Sequence, residues 1–569
     1  MVSPAPASSR LPSYTSSTAD KPLLGMTIGD KFDQIAAQYP DNDALIALHQ
    51  NIHWSYRELQ QEVNRCARAL LALGVKKGDR VGIWAPNCSE WTLTQFATAK
   101  IGAILVNINP SYRTHELEYA LNQSGARFLV TAHRFKTSDY TSMLFELAPE
   151  LSSCAEGQLQ SQTLPQLECI INLSADKHSG MWRWSDFIAE ADNVSQTDVD
   201  DLQATLQFDD PINIQYTSGT TGFPKGATLS HHNILNNGFF VAESMGFTSE
   251  DRLVIPVPLY HCFGMVMGNL GCMTHGAAMI YPDEGFDPGK VLNAVHEQKA
   301  TALYGVPTMF IAELEHPDFA STDFSTLRTG IMAGSICPAE IMKQVINKMN
   351  MKGVQIAYGM TETSPVSTQT GANDTIDKRV STVGRTQPHL ESKIVDPGNG
   401  GILPRGEIGE LCTRGYSVML KYWNNDKATA EAIDEAGWMH TGDLATMDNE
   451  GYIQIVGRIK DMVIRGGENV YPKEIEEFLY AHPAISEVQV TGVPDKKYGE
   501  ELIAWVKLNA TAGEITGEEL RDYCKGKITH FKIPRYFKFV DEFPMTVTGK
   551  IQKFKMREIS IKELGLDEK

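Results

Sequence analysis

Apolar and polar positions follow two alternating periods from about residue 30 onward. Short apolar runs typical of buried strands occur at 81–84, 103–107, 128–131, 169–173 and 212–216. Between them lie segments with apolar residues at helical spacing, one of which begins at the capping box Ser55-Tyr-Arg-Glu58 and stops at Gly74. Strands that alternate with helices predict an α/β fold with largely parallel sheets.

The pattern changes near residues 456–462. Beyond this point Pro472 opens an amphipathic helix, followed by apolar strands at 487–493 and 503–508 and a helix at 518–527. We therefore predict three segments. They are a disordered tail over 1–24, a large α/β domain over 25–459 with β-sheets flanked by helices, and a small mobile α+β domain over 460–569.

One segment, residues 253–282, contains no Asp, Glu, Lys or Arg and is long enough to span a bilayer. Pro256, Pro258 and four glycines interrupt it, which favours a buried strand–loop–helix and leaves a membrane span as the alternative. The first twenty residues carry one basic side chain, and no apolar segment follows them. We therefore predict neither a secretory signal nor an Arg-rich transit peptide there.

Charge and cysteine content exclude several classes of protein and restrict the expected compartment. Among 569 residues, 51 Lys and Arg against 70 Asp and Glu give a net charge of −19, which argues against nucleic acid or an anionic membrane as the partner. A hydrophobic fraction of 42% excludes a disordered chain. Nine scattered cysteines without a CxxC pair predict a reducing compartment and neither a disulfide scaffold nor a zinc site. We expect the cytoplasm, with the mitochondrial matrix as the alternative.

The strongest chemical signal is the string YTSGTTGFPKG at 216–226, which follows an apolar run. Its glycines allow close backbone approach, its hydroxyls donate hydrogen bonds, and its lysine neutralises charge, so the string suits a loop around phosphate oxygens. It is not a P-loop of the GxxxxGK[ST] type, because Pro224 stands where the second glycine should be. A flexible surface loop is the alternative interpretation.

This string resembles the phosphate loop of the adenylate-forming superfamily, which includes acyl-CoA synthetases, luciferases and peptide-synthetase adenylation domains. Four further motifs resemble that family in the same order: YGMTE at 358–362, TGD at 441–443, GRIKD at 457–461 and PMTVTGK at 544–550. The resemblance extends from about residue 25 to 560. The runs ATLSHHN, PLYHCFG and IRGGENVYP are similar to the acyl-CoA synthetase family member 2 group, which is associated with medium-chain fatty acids.

The resemblance implies ATP-dependent ligation of a fatty acid to coenzyme A through an acyl-adenylate, with release of AMP and pyrophosphate. It implies ATP, Mg²⁺ and coenzyme A as cofactor and co-substrates. The catalytic residues implied are Lys550, His261 and Glu362, the last also as the metal ligand. Lys460 is implied as the hinge, and Gly466 and Gly467 as coenzyme A contacts. The implied ATP contacts are Thr217, Ser218, Gly219, Thr220, Thr221, Gly222, Phe223, Pro224, Lys225, Gly334, Ser335, Tyr358, Gly359, Thr361, Asp443, Arg458 and Lys550.

The residues are compatible with several alternatives. His261 could be an ordinary core histidine, and the Gly466-Gly467 pair could be a tight β-turn. No Asp occurs between Asp251 and Asp283, which disfavours an amino-acid substrate, whereas an aryl or short-chain acid and a carrier-protein acceptor stay possible. A silent nucleotide- or acyl-binding protein is the third reading, and a homodimer is a candidate assembly. The expected acyl pocket is mostly apolar: Val266, Met267, Tyr304, Val306, Thr308 and Val366.

Overall fold

The computed structural model describes residues 11–217, 224–334, 337–466, 468–509, 513, 515–545 and 551–566. The strands in this part of the chain are β1 Tyr14–Ser16, β2 Asp43–Ala47, β3 Ile52–Ser55, β4 Arg80–Trp84, β5 Ile104–Asn107, β6 Phe128–Thr131, β7 Arg134–Phe135, β8 Ser138–Asp139, β9 Cys169–Asn172, β10 Trp182–Arg183, β11 Pro211–Thr217, β12 Lys225–Ser230, β13 Arg252–Val254, β14 Ala278–Tyr281, β15 Ala302–Gly305, β16 Thr329–Ala333, β17 Gly353–Gly359, β18 Val366–Gln369, β19 Arg385–Thr386, β20 Leu390–Val395, β21 Gly409–Gly415, β22 Lys421–Tyr422, β23 Met439–Met447, β24 Ile453–Arg458, β25 Val463–Arg465, β26 Glu468–Val470, β27 Ile485–Asp495, β28 Gly499–Leu508 and β29 Tyr536–Phe539.

The α-helices in the same residues are α1 Ile28–Gln38, α2 Tyr56–Ala72, α3 Ser89–Ile101, α4 Thr114–Ser124, α5 Tyr140–Leu147, α6 Trp184–Ala189, α7 Gln196–Gln203, α8 His231–Ser244, α9 Gly271–His275, α10 Pro288–Glu297, α11 Pro307–Glu315, α12 Ala339–Lys348, α13 Ile376–Ser381, α14 Asp426–Ala432, α15 Pro472–Tyr480, α16 Gly517–Cys524 and α17 Lys553–Leu564. A π-helix at Phe263–Leu270 and short 3₁₀ turns complete the regular structure.

The chain divides into two compact units. The larger contains residues 15–392 and 413–439. Its first sheet has the strand order β10-β9-β6-β4-β5-β11-β12-β22, and its second has the order β19-β18-β17-β16-β15-β13-β14-β2-β3. Neighbouring strands are parallel from β10 to β11 and from β17 to β2, and antiparallel at the remaining edges. Helices cover these sheets, and the predicted α/β class is confirmed.

The smaller unit contains residues 1–14, 393–412 and 440–569. It holds β24 and all but the first residue of β23, which pair antiparallel, and a mostly antiparallel sheet of order β26-β25-β28-β27, with β29 parallel to β28. Helices α15 and α16 contribute Ile475, Leu479 and Leu520 to a buried cluster on the second sheet. The predicted combination of helices and strands in the small C-terminal domain is confirmed, whereas its predicted boundary at residue 460 stays a prediction.

Local sequence explains where the elements begin and end. Ser55 caps the start of helix α2: its hydroxyl accepts from the Glu58 N–H, and the Glu58 carboxylate accepts from the Ser55 N–H. Gly74, with φ +83°, follows the last turn and ends the helix as predicted. The five apolar runs form β4, β5, β6, β9 and β11, each within one or two residues of its predicted ends.

The charge-free segment consists of two strands, the loop after the first of them and two helical segments. It contributes most of β13, the π-helix, α9 and strand β14, and Leu253, Met265 and Met279 are buried in the main core. Among the residues that the structure describes, no helix is long and apolar enough to cross a membrane. The buried strand–loop–helix interpretation is therefore the one observed.

The prediction of a disordered tail is wrong for residues 11–24. Tyr14–Ser16 form strand β1. The Leu24 N–H donates to Asn236 Oδ1 at 2.6 Å, and the Leu24 side chain packs on the main core. Polar composition misled the prediction, because a short segment can be fixed by backbone hydrogen bonds without an apolar pattern of its own.

Candidate active site

The predicted phosphate loop connects two strands of a hairpin. Strands β11 and β12 are antiparallel, with Thr217 opposite Lys225 and Tyr216 opposite Gly226. The Thr217 hydroxyl donates to the Lys225 carbonyl at 3.4 Å. The hairpin therefore places Thr217, Pro224 and Lys225 at the base of the loop. The remaining predicted contacts, Ser218, Gly219, Thr220, Thr221, Gly222 and Phe223, lie outside the described residues.

A tyrosine links the loop lysine to the predicted metal ligand. Lys225 Nζ lies 5.0 Å from the centroid of the Tyr422 ring, and Tyr422 Oη donates to Glu362 Oε1 at 2.7 Å. Glu362 lies in the one-turn helix Thr361–Thr363 and is 6% exposed. Burial, reinforced by the neighbouring carboxylate, raises the pKa of Tyr422, so this side chain is a neutral donor. Sequence reasoning missed Tyr422, which no motif spacing marks.

The predicted adenine contacts lie at the ends of neighbouring strands. Ala333 of β16 is opposite Ala357 of β17 in a parallel pair, so the next residues, Gly334 and Tyr358, follow the same edge of the sheet. This carboxyl edge of parallel strands is where ligands bind in open α/β sheets. A Cβ on Gly359 would lie 1.7 Å from the Pro365 carbonyl oxygen, so only glycine fits there. Ser335 lies outside the described residues.

His261 immediately precedes the π-helix and is half-buried. Its Nδ1 accepts from the Phe263 N–H at 3.2 Å, so in the neutral ring Nε2 carries the hydrogen. The next residues are tied to β11: the Cys262 thiol donates to Gln215 Oε1 at 3.0 Å, and Gln215 Nε2 donates to Met265 Sδ at 3.0 Å. Gln215, which sequence reasoning missed, thus connects the His261 segment to the strand that leads into the phosphate loop.

The expected acyl-pocket residues divide by exposure. Val266, Met267, Tyr304 and Val366 are buried, whereas Val306 is half-buried and Thr308 is exposed on the first turn of α11. Tyr304 Oη donates to the Met267 carbonyl at 3.2 Å, and burial raises its pKa well above the usual value. The π-helix and β15 therefore present an apolar wall whose single hydroxyl is already bonded.

In the smaller unit, Asp443 of β23 lies opposite Arg458 of β24. Arg458 Nε donates to Asp443 Oδ1 at 3.1 Å, and Asp443 is 8% exposed. Lys460 is exposed in the 3₁₀ turn Ile459–Asp461 that follows β24. Gly466, with φ +63°, begins the turn between β25 and β26, and its N–H donates to the Tyr498 carbonyl at 2.8 Å. Gly467 and Lys550 lie outside the described residues.

One group of potential metal donors occurs in the described part of the chain. Glu410, Cys412 and His440 each offer one ligand atom, and these atoms lie within 4.8 Å of one another. The cysteine spacing alone gave no indication of this group, because its members come from two strands. Glu362, the metal ligand implied by the resemblance, is not a member.

Comparison with known proteins places this geometry in context. A family described as AMP-binding enzyme matches residues 32–423, and one described as AMP-binding enzyme C-terminal domain matches 474–550. The chain is 52% identical over 544 residues to the putative acyl-CoA synthetase YngI of Bacillus subtilis, covering 96% of this chain and 99% of the relative. It is 45% identical to the mitochondrial medium-chain acyl-CoA ligase ACSF2 of Danio rerio, covering 97% and 91%.

Solved structures show the same likeness. The crystal structure of the anthranilate CoA ligase AuaEII in complex with anthranoyl-AMP matches with a TM-score of 0.83 and 27% identity. The match covers 96% of this chain and 99% of that one.

Proposed function

The chain belongs to the AMP-binding enzymes and is an ATP-dependent acyl-CoA ligase that acts through an acyl-adenylate, and we propose that its acids are medium-chain fatty acids. Two supports carry the choice of acid. The wall formed by Val266, Met267 and Tyr304 is apolar, and the ligase of Danio rerio is named for medium-chain acids. An aliphatic chain gains about 0.8 kcal/mol for each methylene buried against such a wall.

The observation that supports the assignment of roles is the chain of contacts from Lys225 through Tyr422 to Glu362. Lys225, at the base of a loop rich in hydroxyls, lies against the Tyr422 ring, and the neutral hydroxyl of that ring binds the Glu362 carboxylate. We assign Lys225 to the phosphates and Glu362 to Mg²⁺, since a buried carboxylate whose side-chain donor among the described residues is the neutral Tyr422 hydroxyl suits a hard cation. When bound, that ion would screen the repulsion between the phosphates and the incoming carboxylate.

In the first half-reaction a carboxylate oxygen of the acid forms a bond to the α-phosphorus, and pyrophosphate leaves. Lys550 is assigned to the developing negative charge between the two groups, Tyr358 and Gly334 to the adenine, and Asp443 and Arg458 to the ribose. His261, whose Nε2 carries a hydrogen, is assigned to a hydrogen bond to the acyl carbonyl. The assignment of Lys550 rests on the family resemblance, and the other assignments rest on that resemblance together with the positions and contacts described above.

In the second half-reaction the coenzyme A thiol loses its proton to solvent and its sulfur bonds to the acyl carbon, while AMP leaves with the electron pair of the broken bond between that carbon and the phosphate oxygen. We propose that residues 460–569 rotate about Lys460 between the two steps. Lys460 is exposed in the turn at Ile459–Asp461, which leaves room for the backbone change at this residue. The contact from Lys473 Nζ to the Ile455 carbonyl, at 2.5 Å, joins α15 to β24 across this turn and would have to break on rotation. Gly466 and Gly467 are assigned to the pantetheine arm.

A competition experiment tests the substrate class. Protein with ATP, Mg²⁺, coenzyme A and an equimolar mixture of C2 to C16 fatty acids, benzoate and cinnamate is analysed by mass spectrometry. We expect AMP and one dominant acyl-CoA of medium chain length. A dominant aryl or short-chain product would contradict the proposed acid. Acyl-adenylate without thioester would point to a carrier protein as acceptor.

Two variants test the two-step assignment. For Lys550→Ala we expect adenylation to fall on the order of 10²–10³-fold while thioester formation from synthetic acyl-AMP survives. For Lys460→Pro we expect the reverse, because a fixed φ blocks the backbone change at the hinge. Equal loss of both half-reactions in either variant would contradict separate conformations for the two steps.

We also propose a reducing compartment, the cytoplasm or the mitochondrial matrix. All nine cysteines are free, and eight of them are buried. A homodimer is the proposed assembly, which size-exclusion chromatography with light scattering would test directly.

A further inference from the structure

A glutamate of the smaller unit holds the turn that carries Asp443. Glu410 lies on β21, next to β23 in the sheet order. Its Oε1 accepts from the Gly442 N–H at 3.1 Å, and its Oε2 accepts from His440 Nδ1 at 2.8 Å. The side chain of Glu410 is 12% exposed. One carboxylate thus binds the backbone and the side chain on either side of Thr441.

The turn departs from regular strand geometry at Gly442, whose φ is +70°. Side-chain hydrogen bonds fix the residues around it. The Thr441 hydroxyl donates to the Leu411 carbonyl at 2.7 Å and accepts from the Asp443 N–H at 3.1 Å. Gly442 is half-buried, and loss of its hydrogen bond to Glu410 would cost about 0.5–1.5 kcal/mol, so removing the Glu410 carboxylate would favour a different path for this turn.

We propose that Glu410 is a positioning residue for ribose recognition, acting through the 440–442 turn to aim the Asp443 carboxylate at the ribose hydroxyls. The proposal rests on the ribose role of Asp443 given under the proposed function. Asp443 follows the Glu410-bound Gly442 directly, so a change in that peptide changes the direction of its side chain. Arg458 binds Oδ1 from the opposite strand, and the Glu410 turn sets the backbone from which the carboxylate projects.

Glu410, Cys412 and His440 could instead form a metal site, since Cys412 Sγ lies 3.5 Å from His440 Nδ1. The hydrogen bonds favour the positioning role. Both Glu410 oxygens already accept from N–H donors, and His440 Nδ1 must carry its hydrogen to donate to a carboxylate. A nitrogen in that state has no lone pair for a metal.

The test is discrimination between ribose forms. Pyrophosphate release is measured with ATP and with 2′,3′-dideoxy-ATP for the wild type, Glu410→Ala, Asp443→Ala and the control Glu487→Ala. Glu487 pairs with Lys507 at 2.8 Å on paired strands of the same unit and has no assigned role. The measured quantity is kcat/KM with ATP divided by kcat/KM with 2′,3′-dideoxy-ATP. We expect this ratio to fall about tenfold in Glu410→Ala, toward its value in Asp443→Ala, because KM for ATP rises. The control should keep the wild-type ratio.

Equal loss with both nucleotides in Glu410→Ala would mean a merely structural role and would overturn the proposal. Glu410→Gln serves where the alanine variant does not fold. It keeps an acceptor for Gly442 but presents an N–H to His440, so we expect a two- to threefold fall in the ratio. An unchanged ratio in this folded variant would likewise overturn the proposal. If Asp443→Ala itself leaves the ratio unchanged, the ribose assignment fails, and that outcome is distinct from failure at Glu410 alone.

Discussion

Glu362 and Asp443 are nearly equally buried, at 6% and 8% exposed, yet the partners of the two carboxylates differ in charge. Glu362 is held by the neutral hydroxyl of Tyr422, whereas Asp443 is paired with the guanidinium of Arg458. A carboxylate whose partner is neutral keeps its full negative charge for an incoming cation. A carboxylate already paired with arginine can still accept hydrogen bonds from hydroxyl groups but attracts a cation less. The difference supports a metal role for the first and a ribose role for the second.

The largest effect is expected at Glu362. Glu362→Gln keeps the size of the side chain and an oxygen for Tyr422 but removes the charge, so adenylation should fall on the order of 10²–10³-fold, with a higher Mg²⁺ concentration needed for half-maximal rate. Pyrophosphate release across a Mg²⁺ titration measures both. Glu362→Asp is the matched control, which keeps the charge and should recover part of the Mg²⁺ response. An unchanged Mg²⁺ dependence in the glutamine variant would remove the metal role.

Asp443→Asn should act on nucleotide affinity rather than on the metal. Hydrogen bonds to a charged acceptor are worth about 1.5–3 kcal/mol, so KM for ATP should rise about 10–100-fold with the Mg²⁺ dependence unchanged. Because Arg458 is more than half exposed, water can solvate it when its partner is neutralised, and the melting temperature should change little. A shifted Mg²⁺ dependence in Asp443→Asn would contradict the assignment of the metal to Glu362 and of the ribose to Asp443.

A third buried carboxyl group, that of Glu313 in α11, differs from the other two in having neither a neutral nor a charged hydrogen-bond partner among the described residues. It is fully buried, and neither of its oxygens has a hydrogen-bond partner among the described residues. Burial raises its pKa well above the usual 4.5, so the carboxyl is neutral in the folded chain. The unfolded chain ionises above pH 4.5, and wild-type stability should therefore fall as pH rises through and beyond that value.

Glu313→Gln removes that ionisation. We expect its free energy of unfolding to exceed that of the wild type by about 1–3 kcal/mol at pH 7, with the difference disappearing near pH 4. Chemical denaturation at the two pH values measures it. Glu315→Gln, on the exposed face of the same helix, should show no such difference. A glutamine variant that is no more stable at pH 7 would show that Glu313 is ionised and solvated.

These three carboxylates show how far the sequence alone reaches. Motif resemblance marked Glu362 and Asp443, and apolar runs located the strands that carry the phosphate loop, because both signals are local along the chain. Tyr422 lies 60 residues from Glu362, and Gln215 lies 47 residues from Cys262. Such contacts depend on which strands become neighbours, which residue types do not specify. Glu313 sits in an ordinary amphipathic helix pattern, so only packing shows that its carboxyl has no water and no partner.

The smallest expected effect belongs to Tyr422, on which the comparison depends. Tyr422→Phe keeps the ring beside Lys225 and removes the hydrogen bond to Glu362, so a loss of about 0.5–1.5 kcal/mol should slow adenylation about 2–12-fold. Tyr56→Phe is the matched control. It removes an equally short bond, from Tyr56 Oη to the Ala277 carbonyl at 2.7 Å, and should lower stability without slowing the reaction. Equal adenylation rates in Tyr422→Phe and Tyr56→Phe would mean that the Tyr422 hydroxyl does not orient Glu362. The contact with a neutral donor would then give no support to the metal role of Glu362.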